Sequence, residues 1–140
     1  MMKMASGICL AAAAFLAATS ASAQSPAATC PAGTVGSVVR INTIKPTGAM
    51  AGFETAVRDH LKWYRDHGYT TNTITISPVL ETPDQGKTWT VSKTRVLSIH
   101  RNAPGVPAAK HDAAWNAYVA EYRANSDIAV EEYVCLRAGS

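Results

Sequence analysis

The four histidines are the clearest groups in the sequence for acid–base or metal chemistry. His60 and His67 lie in one predicted helix with Trp63 between them, so the three side chains could form one wall of a pocket. The alternative is that His60 is exposed, Trp63 covers the core edge and His67 lies at the helix C-terminus. The two histidines are separated by about 10 Å, too far to share a metal ion, and HExxH spacing is absent, so we predict no metal site.

A second set of candidates surrounds the loop at residues 102–106. His100 precedes this loop and His111 follows it, so both should lie at the same end of the sheet. Asn42 and Trp115 are expected near them on other elements. A histidine in this position could act as a general base or orient a ligand near neutral pH. The alternative is that these side chains lie at the surface or only pack.

Other catalytic motifs are absent from the sequence. It contains no GxSxG nucleophile motif, no glycine-rich phosphate loop and no cysteine beside a histidine. The residues therefore predict a binding pocket more directly than they predict any one reaction.

Six predicted elements must position these candidates. Alternating polarity marks the strands, and apolar residues spaced three and four apart mark the helices. In chain order, the strand, helix, strand, strand, helix and strand span residues 37–45, 49–67, 70–80, 87–101, 107–124 and 128–137. Two right-handed crossovers of this kind predict an α+β, ferredoxin-like βαββαβ sandwich. Its four-stranded antiparallel sheet has the order 4-1-3-2, with both helices on one face.

The strand at residues 87–101 is the expected centre of the sheet. Thr and Ser residues share one of its faces with His100. The other face carries an apolar row that consists of Trp89, Val91, Leu97 and Ile99. We expect the apolar row to face the helices, and the Thr/Ser face, continued by the preceding strand, to meet water or another sheet.

Lys93 and Arg95 do not fit this alternation, because it places both cations on the apolar row. A buried cation without a partner is costly. Either a β-bulge at residues 92–94 changes the register, or the cations line a cavity and pair with an anionic ligand group or with Glu131 or Glu132.

Residues 1–23 have the pattern of a bacterial Sec-type signal peptide. Lys3 provides the positive region, residues 8–18 are apolar, and residues 21–23 form a small-residue cleavage site. We predict a periplasmic or secreted protein that begins at Gln24 and has no membrane-spanning segment after cleavage. A retained anchor is the alternative.

The mature chain is predicted to contain an N-terminal segment, residues 24–36, and one ferredoxin-like domain, residues 37–140. Without Lys3, 12 basic residues stand against 10 acidic ones, a net charge of +2. This charge is too small to predict binding to nucleic acid.

Two cysteines, Cys30 and Cys135, remain after the predicted cleavage removes Cys9. In an exported chain we expect them to form a disulfide. The predicted strand order supports this pairing, since it places the last strand beside the first. A reactive or metal-binding pair is the alternative, but no CxxC spacing favours it.

The stretches VVRINTIKP (38–46) and YRDHGY (64–69), together with the element order, resemble the dimeric α/β-barrel superfamily over residues 37–136. This superfamily contains NIPSNAP-like and antibiotic-biosynthesis-monooxygenase-like proteins, haem-degrading enzymes and stress-responsive barrel proteins. The resemblance implies a homodimer that packs sheet against sheet through the Thr/Ser face. It also implies a ligand cavity between the helices and the sheet.

In the haem-degrading members, an Asn of the first strand, a Trp and a His form the working set. The resemblance matches Asn42 to the Asn, and His111 could stand for the His. Neither Trp89 nor Trp115 matches the Trp, and no motif requires haem or another cofactor.

We therefore expect an exported protein that binds a small hydrophobic molecule, as a binding protein or as a cofactor-independent or haem-related monooxygenase. The candidate ligand-binding residues are Asn42, Trp63, Arg95, His100, His111 and Trp115. The competing hypothesis is a non-catalytic envelope or interaction protein of the same fold.

Overall fold

The computed structural model describes residues 29–139, so the predicted signal peptide lies outside the described residues. The elements are β1 (Thr34–Ile44), α1 (Met50–Asp66), β2 (Thr73–Glu81), β3 (Thr90–Arg101), α2 (Ala113–Asn125) and β4 (Ser126–Arg137). This order confirms the predicted α+β, ferredoxin-like βαββαβ arrangement. No helix between residues 29 and 139 combines the length and apolar character needed to cross a membrane.

The four strands form one antiparallel sheet in the order β2-β3-β1-β4. This is the predicted order. Each crossover connection skips one strand: β1 and β2 flank β3, and β3 and β4 flank β1. The central strands β1 and β3 therefore carry most of the buried sheet positions, and β2 and β4 form the edges.

Both helices pack on one face of the sheet. The apolar stripe of α1 presents Phe53 and Val57 to Ile44 of β1 and Val96 of β3, and Tyr122 of α2 packs against this cluster. The members of a second cluster, which joins the two helices, are Trp63, Tyr64 and Tyr118. We call the side of the sheet that carries the helices the helix side and the opposite side the open face.

The two rows of β3 face opposite to our prediction. Val96, Ser98 and His100 are buried on the helix side, whereas Leu97 and Ile99 are only half-buried on the open face. The open face of β3 is therefore its apolar row, and the Ser and His residues lie under the helices.

The reason for this reversal is that the polar residues of β3 have partners on the helix side. Ser98 Oγ accepts a hydrogen bond from Asn42 Nδ2 at 3.0 Å. His100 Nε2 lies 2.9 Å from the side-chain amide of Asn72. Buried polar groups with partners avoid most of the desolvation cost that unpaired groups would carry.

The predicted continuous Thr/Ser face is also wrong. In the pairing of β2 with β3, Ile74 lies opposite His100 and Ile76 opposite Ser98. Directly opposed residues share a face, so the isoleucines of β2 point to the helix side with the polar row of β3. The Thr/Ser row of β2 lies on the open face instead.

The β-bulge proposed for β3 is confirmed. Pairing with β2 shifts register between Pro78 and Leu80, and Ser92 Oγ accepts a hydrogen bond from the backbone N–H of Arg95 at 3.0 Å. Lys93 is exposed and Arg95 is half-exposed, so neither cation enters the core. Arg95 stays on the apolar row of β3, and because that row lies on the open face, its charge carries no cost of full burial.

The second helix starts later than predicted. Pro107 leads into a short 3-10 helix, Ala108–Lys110, and α2 begins only after Asp112. The Asp112 side chain accepts a hydrogen bond from the backbone N–H of Trp115 at 2.8 Å. An aspartate satisfies a free N–H of the first turn, which a proline at this position cannot do.

A disulfide joins Cys30 to Cys135, as predicted, with a Cα–Cα distance of 5.5 Å. Cys135 pairs with Gly36 across β1 and β4, so the bond ties the segment before β1 to an edge strand. The sequence separation of 105 closes a long loop. Such a bond contributes about 4 to 5 kcal/mol in the chain-entropy model.

The start of α1 and the end of α2 meet at the buried Asn125. Its Oδ1 accepts a hydrogen bond from the backbone N–H of Ala49 at 2.9 Å, and its carbonyl accepts one from Lys45 at 2.9 Å. A Cβ on Gly52 would lie 2.3 Å from Asn125 Oδ1, and one on Gly48 would lie 2.4 Å from the Asn125 carbonyl oxygen. The two glycines therefore permit the close approach of the helices.

We expect Gly52→Ala to destabilise the fold by about 1 to 3 kcal/mol, because its Cβ would overlap the Asn125 side chain. In an Asn125→Ala background the same substitution should stabilise by up to about 1 kcal/mol, since alanine favours a helix over glycine. Urea denaturation of all four members of the cycle measures both effects. Additive free energies would contradict the close packing described for this contact.

Candidate functional site

A cavity of about 960 Å³ lies between the helices and the sheet. It opens at β4, because α2 packs mainly against α1 and barely touches β4. Ile128 and Tyr133 of β4 lie opposite Asn42 and Val38 on the helix side, yet they are 56% and 62% exposed. The two helices leave the helix side of β4 uncovered, and this part of the sheet forms the mouth of the cavity.

The helix wall of the cavity is aromatic and is centred on His60. The His60 ring stacks on Tyr118 at 4.5 Å between centroids and makes edge contacts with Tyr122 at 5.8 Å and Trp115 at 6.3 Å. Tyr64, one turn further along α1, lies 5.0 Å from His60. These five residues form the aromatic wall. Spacings of three and four bring them onto facing sides of α1 and α2.

The sheet side of the cavity carries four polar residues, which we call the polar floor. They are Arg40 and Asn42 of β1, and Ser98 and His100 of β3. Arg40 lies directly opposite Ser98, and alternation along β1 and β3 keeps the other two on the same side. Arg40 Nε donates to Glu131 Oε2 at 2.5 Å, at the partly exposed edge of the floor.

A chain of hydrogen bonds determines which nitrogen of His100 carries its proton. Arg65 Nη1 donates to Asn72 Oδ1 at 2.7 Å, which turns the Asn72 Nδ2 group toward His100 Nε2, 2.9 Å away. Arginine can only donate, so this orientation of the amide is fixed. His100 Nε2 must then accept, and the proton lies on Nδ1.

Burial keeps both cavity histidines neutral. Burial, the neighbouring His100 and the charge of Arg40 lower the pKa of His60 to about 3. Burial, with the charges of Arg40 and Arg65, lowers the pKa of His100 to about 4. At neutral pH both imidazoles are therefore uncharged.

The tyrosines of the aromatic wall are also uncharged. Burial raises the pKa of Tyr64 to about 12 and raises the pKa values of Tyr118 and Tyr122 further. The Tyr118 hydroxyl is buried and has no hydrogen-bond partner within residues 29–139. The wall is thus an uncharged surface of rings.

Three of the six predicted site residues line this cavity: Asn42, His100 and Trp115. His111 lies behind the wall, where its ring stacks on Trp115 at 3.9 Å. We expected Asn42, His100 and His111 to lie in one cavity. Asn42 and His100 do lie there, but His111 does not.

The remaining candidates lie elsewhere. Trp63 is 2% exposed in the core, and its Nε1 donates to Asp112 Oδ1 at 2.8 Å. Arg95 lies opposite Thr43 on the open face. Alternation places Arg95 on the same face as Leu97, so it cannot reach a ligand on the helix side.

Of the predicted wall of His60, Trp63 and His67, only His60 lines the cavity, and sequence reasoning missed Arg40 as a cavity residue. The alternative that left His60 exposed is wrong, because the residue lies in the apolar stripe of α1 between Val57 and Tyr64. Arg40 lies two residues after the buried Val38, so both side chains lie on the helix side of β1. The spacing of three and four along α1 and of two along β1 indicated these positions, but the polarity of His60 and Arg40 also suggested exposed side chains.

The two residues that the resemblance matches to the haem-degrading set do not meet in this cavity. Asn42 lines it, but the His111 ring lies behind Trp115, and its Nε2 is buried without a partner in the described chain. No group of three or more His, Cys, Asp or Glu residues within residues 29–139 is arranged to hold a metal ion. Because Asn42 and His111 do not meet in the cavity, we derive no chemistry through haem.

No family model and no curated protein sequence matches the chain. A solved structure described as a phage SAM lyase in the apo state is similar with a TM-score of 0.31. Its sequence is 10% identical, and the similarity covers 77% of this chain and 93% of that chain. At this level the likeness says nothing about the activity of the present chain.

We expect the free energy of unfolding to fall as the pH is lowered from 6.5 toward 4, because only the unfolded chain then takes up protons at His60 and His100. The stabilisation is fully present above pH 6.5. It is lost progressively as the pH falls to the folded-state pKa values, which are about 4 for His100 and about 3 for His60. Each histidine contributes at most about 1.4 kcal/mol per pH unit. Urea denaturation across this range measures the slope.

His60→Phe is the comparison variant, since it keeps a ring in the wall and removes one titrating group. Its stability should depend less steeply on pH than that of the wild type. Equal slopes would mean that His60 is protonated alike in the folded and unfolded chains.

Proposed function

We propose that this chain is an exported protein that binds a small, ring-containing hydrophobic compound in the cavity between its helices and its sheet. The observation that carries the proposal is the aromatic wall, in which the His60 ring is in contact with rings from both helices. The disulfide supports an oxidising compartment outside the cytoplasm. The proposed route of export is the signal peptide at residues 1–23.

The dimensions and chemistry of the cavity support ligand binding. A volume of about 960 Å³ is large enough for a small organic molecule. Val38, Ile74 and Val119 add apolar lining beside the aromatic wall. The polar lining consists of the floor and of further residues that include Lys45, Arg123 and Asp127. A mainly apolar cavity with a few placed polar groups is the usual composition of a ligand site.

Binding is better supported than proton-transfer catalysis. A general base works best when its pKa is close to the working pH, and His60 and His100 have pKa values of about 3 and 4. Both are therefore weak bases at neutral pH. The cofactor-independent monooxygenase version of the proposal needs a substrate whose binding raises one of these pKa values.

The cavity should lose its ligand when Val119 is replaced by Trp, because the larger side chain fills space that the ligand needs. The neutral dye N-phenyl-1-naphthylamine, followed by fluorescence, is a suitable probe. We expect Val119→Trp to weaken binding at least about tenfold, which corresponds to the free energy of burying roughly two CH₂ groups. Ala120→Trp, on the exposed side of the same helix, is the matched control and should bind as the wild type does.

Equal affinities in the two variants would place the dye outside the cavity and contradict the proposal. Circular dichroism of both variants tests whether they are folded. The absence of saturable binding by the wild type would equally count against it.

We also propose that the chain forms a homodimer through its open face. That face carries half-buried apolar residues on the central strands, namely Val39 and Ile41 of β1 and Leu97 and Ile99 of β3. Within residues 29–139 neither helix covers it. Four strands of 9 to 12 residues, about 30 to 40 Å long and about 4.8 Å apart, give a projected footprint of roughly 600 to 750 Å². Because side chains project from the sheet, its accessible area is larger than this footprint and approaches the roughly 800 Å² per partner of a stable interface.

Light scattering should give the mass of a dimer for the wild type and of a monomer for Leu97→Glu, because the new carboxylate would be desolvated at the interface. Leu80→Glu is the control, since Leu80 is 57% exposed beyond the bulge. A wild-type protein that is monomeric at tens of micromolar would refute the dimer and leave the cavity proposal unaffected.

A further inference from the structure

The polar floor presents hydrogen-bond donors to the cavity. Arg40 uses Nε to bind Glu131, and no residue within the described chain accepts a hydrogen bond from its Nη1 or Nη2. Arg40 and Ser98 are directly opposed across β1 and β3. The guanidinium therefore has two NH₂ groups available on the helix side of the sheet.

Two further donors lie beside Arg40. Ser98 Oγ already accepts from Asn42, so the serine hydroxyl proton can be donated. His100 carries its proton on Nδ1, because Nε2 accepts from Asn72, and no described residue accepts from that Nδ1. Arg65 stabilises this arrangement by binding Asn72 from behind.

The charge around the cavity is also positive in balance. Lys45 pairs with Asp127 at 3.3 Å, and Arg40 pairs with Glu131. Arg123 lines the cavity as a third cation. Three cations thus stand against two carboxylates, and the neutral His60 and His100 add no further charge.

We infer that the cavity selects aromatic anions, with the ring against the aromatic wall and a carboxylate or sulfonate on the polar floor. This inference rests on the proposed function and specifies its ligand class. Charge-assisted hydrogen bonds from a guanidinium to an oxyanion are stronger than neutral ones, so the anionic group contributes to affinity as well as to orientation.

Two dyes that differ by one group test the inference directly. 1-Anilinonaphthalene-8-sulfonate is N-phenyl-1-naphthylamine with an added sulfonate, so their rings match and only the charge differs. We expect the wild type to bind the sulfonate more tightly. Arg40→Gln should weaken sulfonate binding by about 10- to 100-fold and should change binding of the neutral dye less than about threefold.

Arg95→Gln is the matched control, because it removes the same charge from the same sheet on the open face. It should leave both affinities unchanged. Arg40→Lys keeps the charge without the paired NH₂ groups and should recover only part of the sulfonate affinity.

The outcomes separate the two levels of the proposal. If the wild type binds neither dye, the proposed function fails. If it binds both dyes and Arg40→Gln weakens both equally, the floor does not select anions and this inference alone fails. A loss of sulfonate binding in Arg95→Gln as large as that in Arg40→Gln would attribute the preference to overall charge and would also overturn it.

Discussion

The close contact between α1 and α2 is the constraint on which the site depends. Gly52 lets the first turns of α1 pass against Asn125, and the Asn125 side chain binds the free N–H at the start of that helix. The two helices consequently sit together over β2, β3 and β1. Their rings meet to form one wall of the cavity, and the helix side of β4 stays uncovered to form its mouth.

The fold was predictable because its signals are local and repeated. Alternation in four strands and apolar stripes in two helices determine the order of elements, and chirality then leaves few topologies. The face of β3 was not predictable by polarity. Ser98 and His100 are buried because Asn42 and Asn72, distant in sequence, supply their hydrogen bonds. A count of polar residues along one strand contains no information about such partners.

Part of the site was also predictable, because the order of the elements follows from local signals. Element order places Asn42 and His100 on the adjacent strands β1 and β3, and both line the cavity, as expected. Strand alternation by itself, however, predicts His100 on the face away from the helices, whereas the residue is buried beneath them. His111 was misplaced because the later start of α2 turns its ring behind Trp115. For His60 the pocket-wall interpretation was right and the exposed alternative was wrong, because the residue continues the apolar stripe of α1. In a cavity, a ring nitrogen needs only one partner, here Tyr122 Oη at 3.3 Å, so polarity is a poor guide to exposure there.

The position of Cys135 in the last strand has a consequence for how the chain folds. β4 pairs along the whole of β1, from Thr34 opposite Arg137 to Ile44 opposite Ser126. Synthesis delivers β4 long after β1, so one edge of the first strand stays unpaired until nearly all described residues have been made. Such long-range pairing slows folding and exposes an edge to other chains. The bond to Cys30 then holds the late strand in place, so oxidation prevents this edge from reopening.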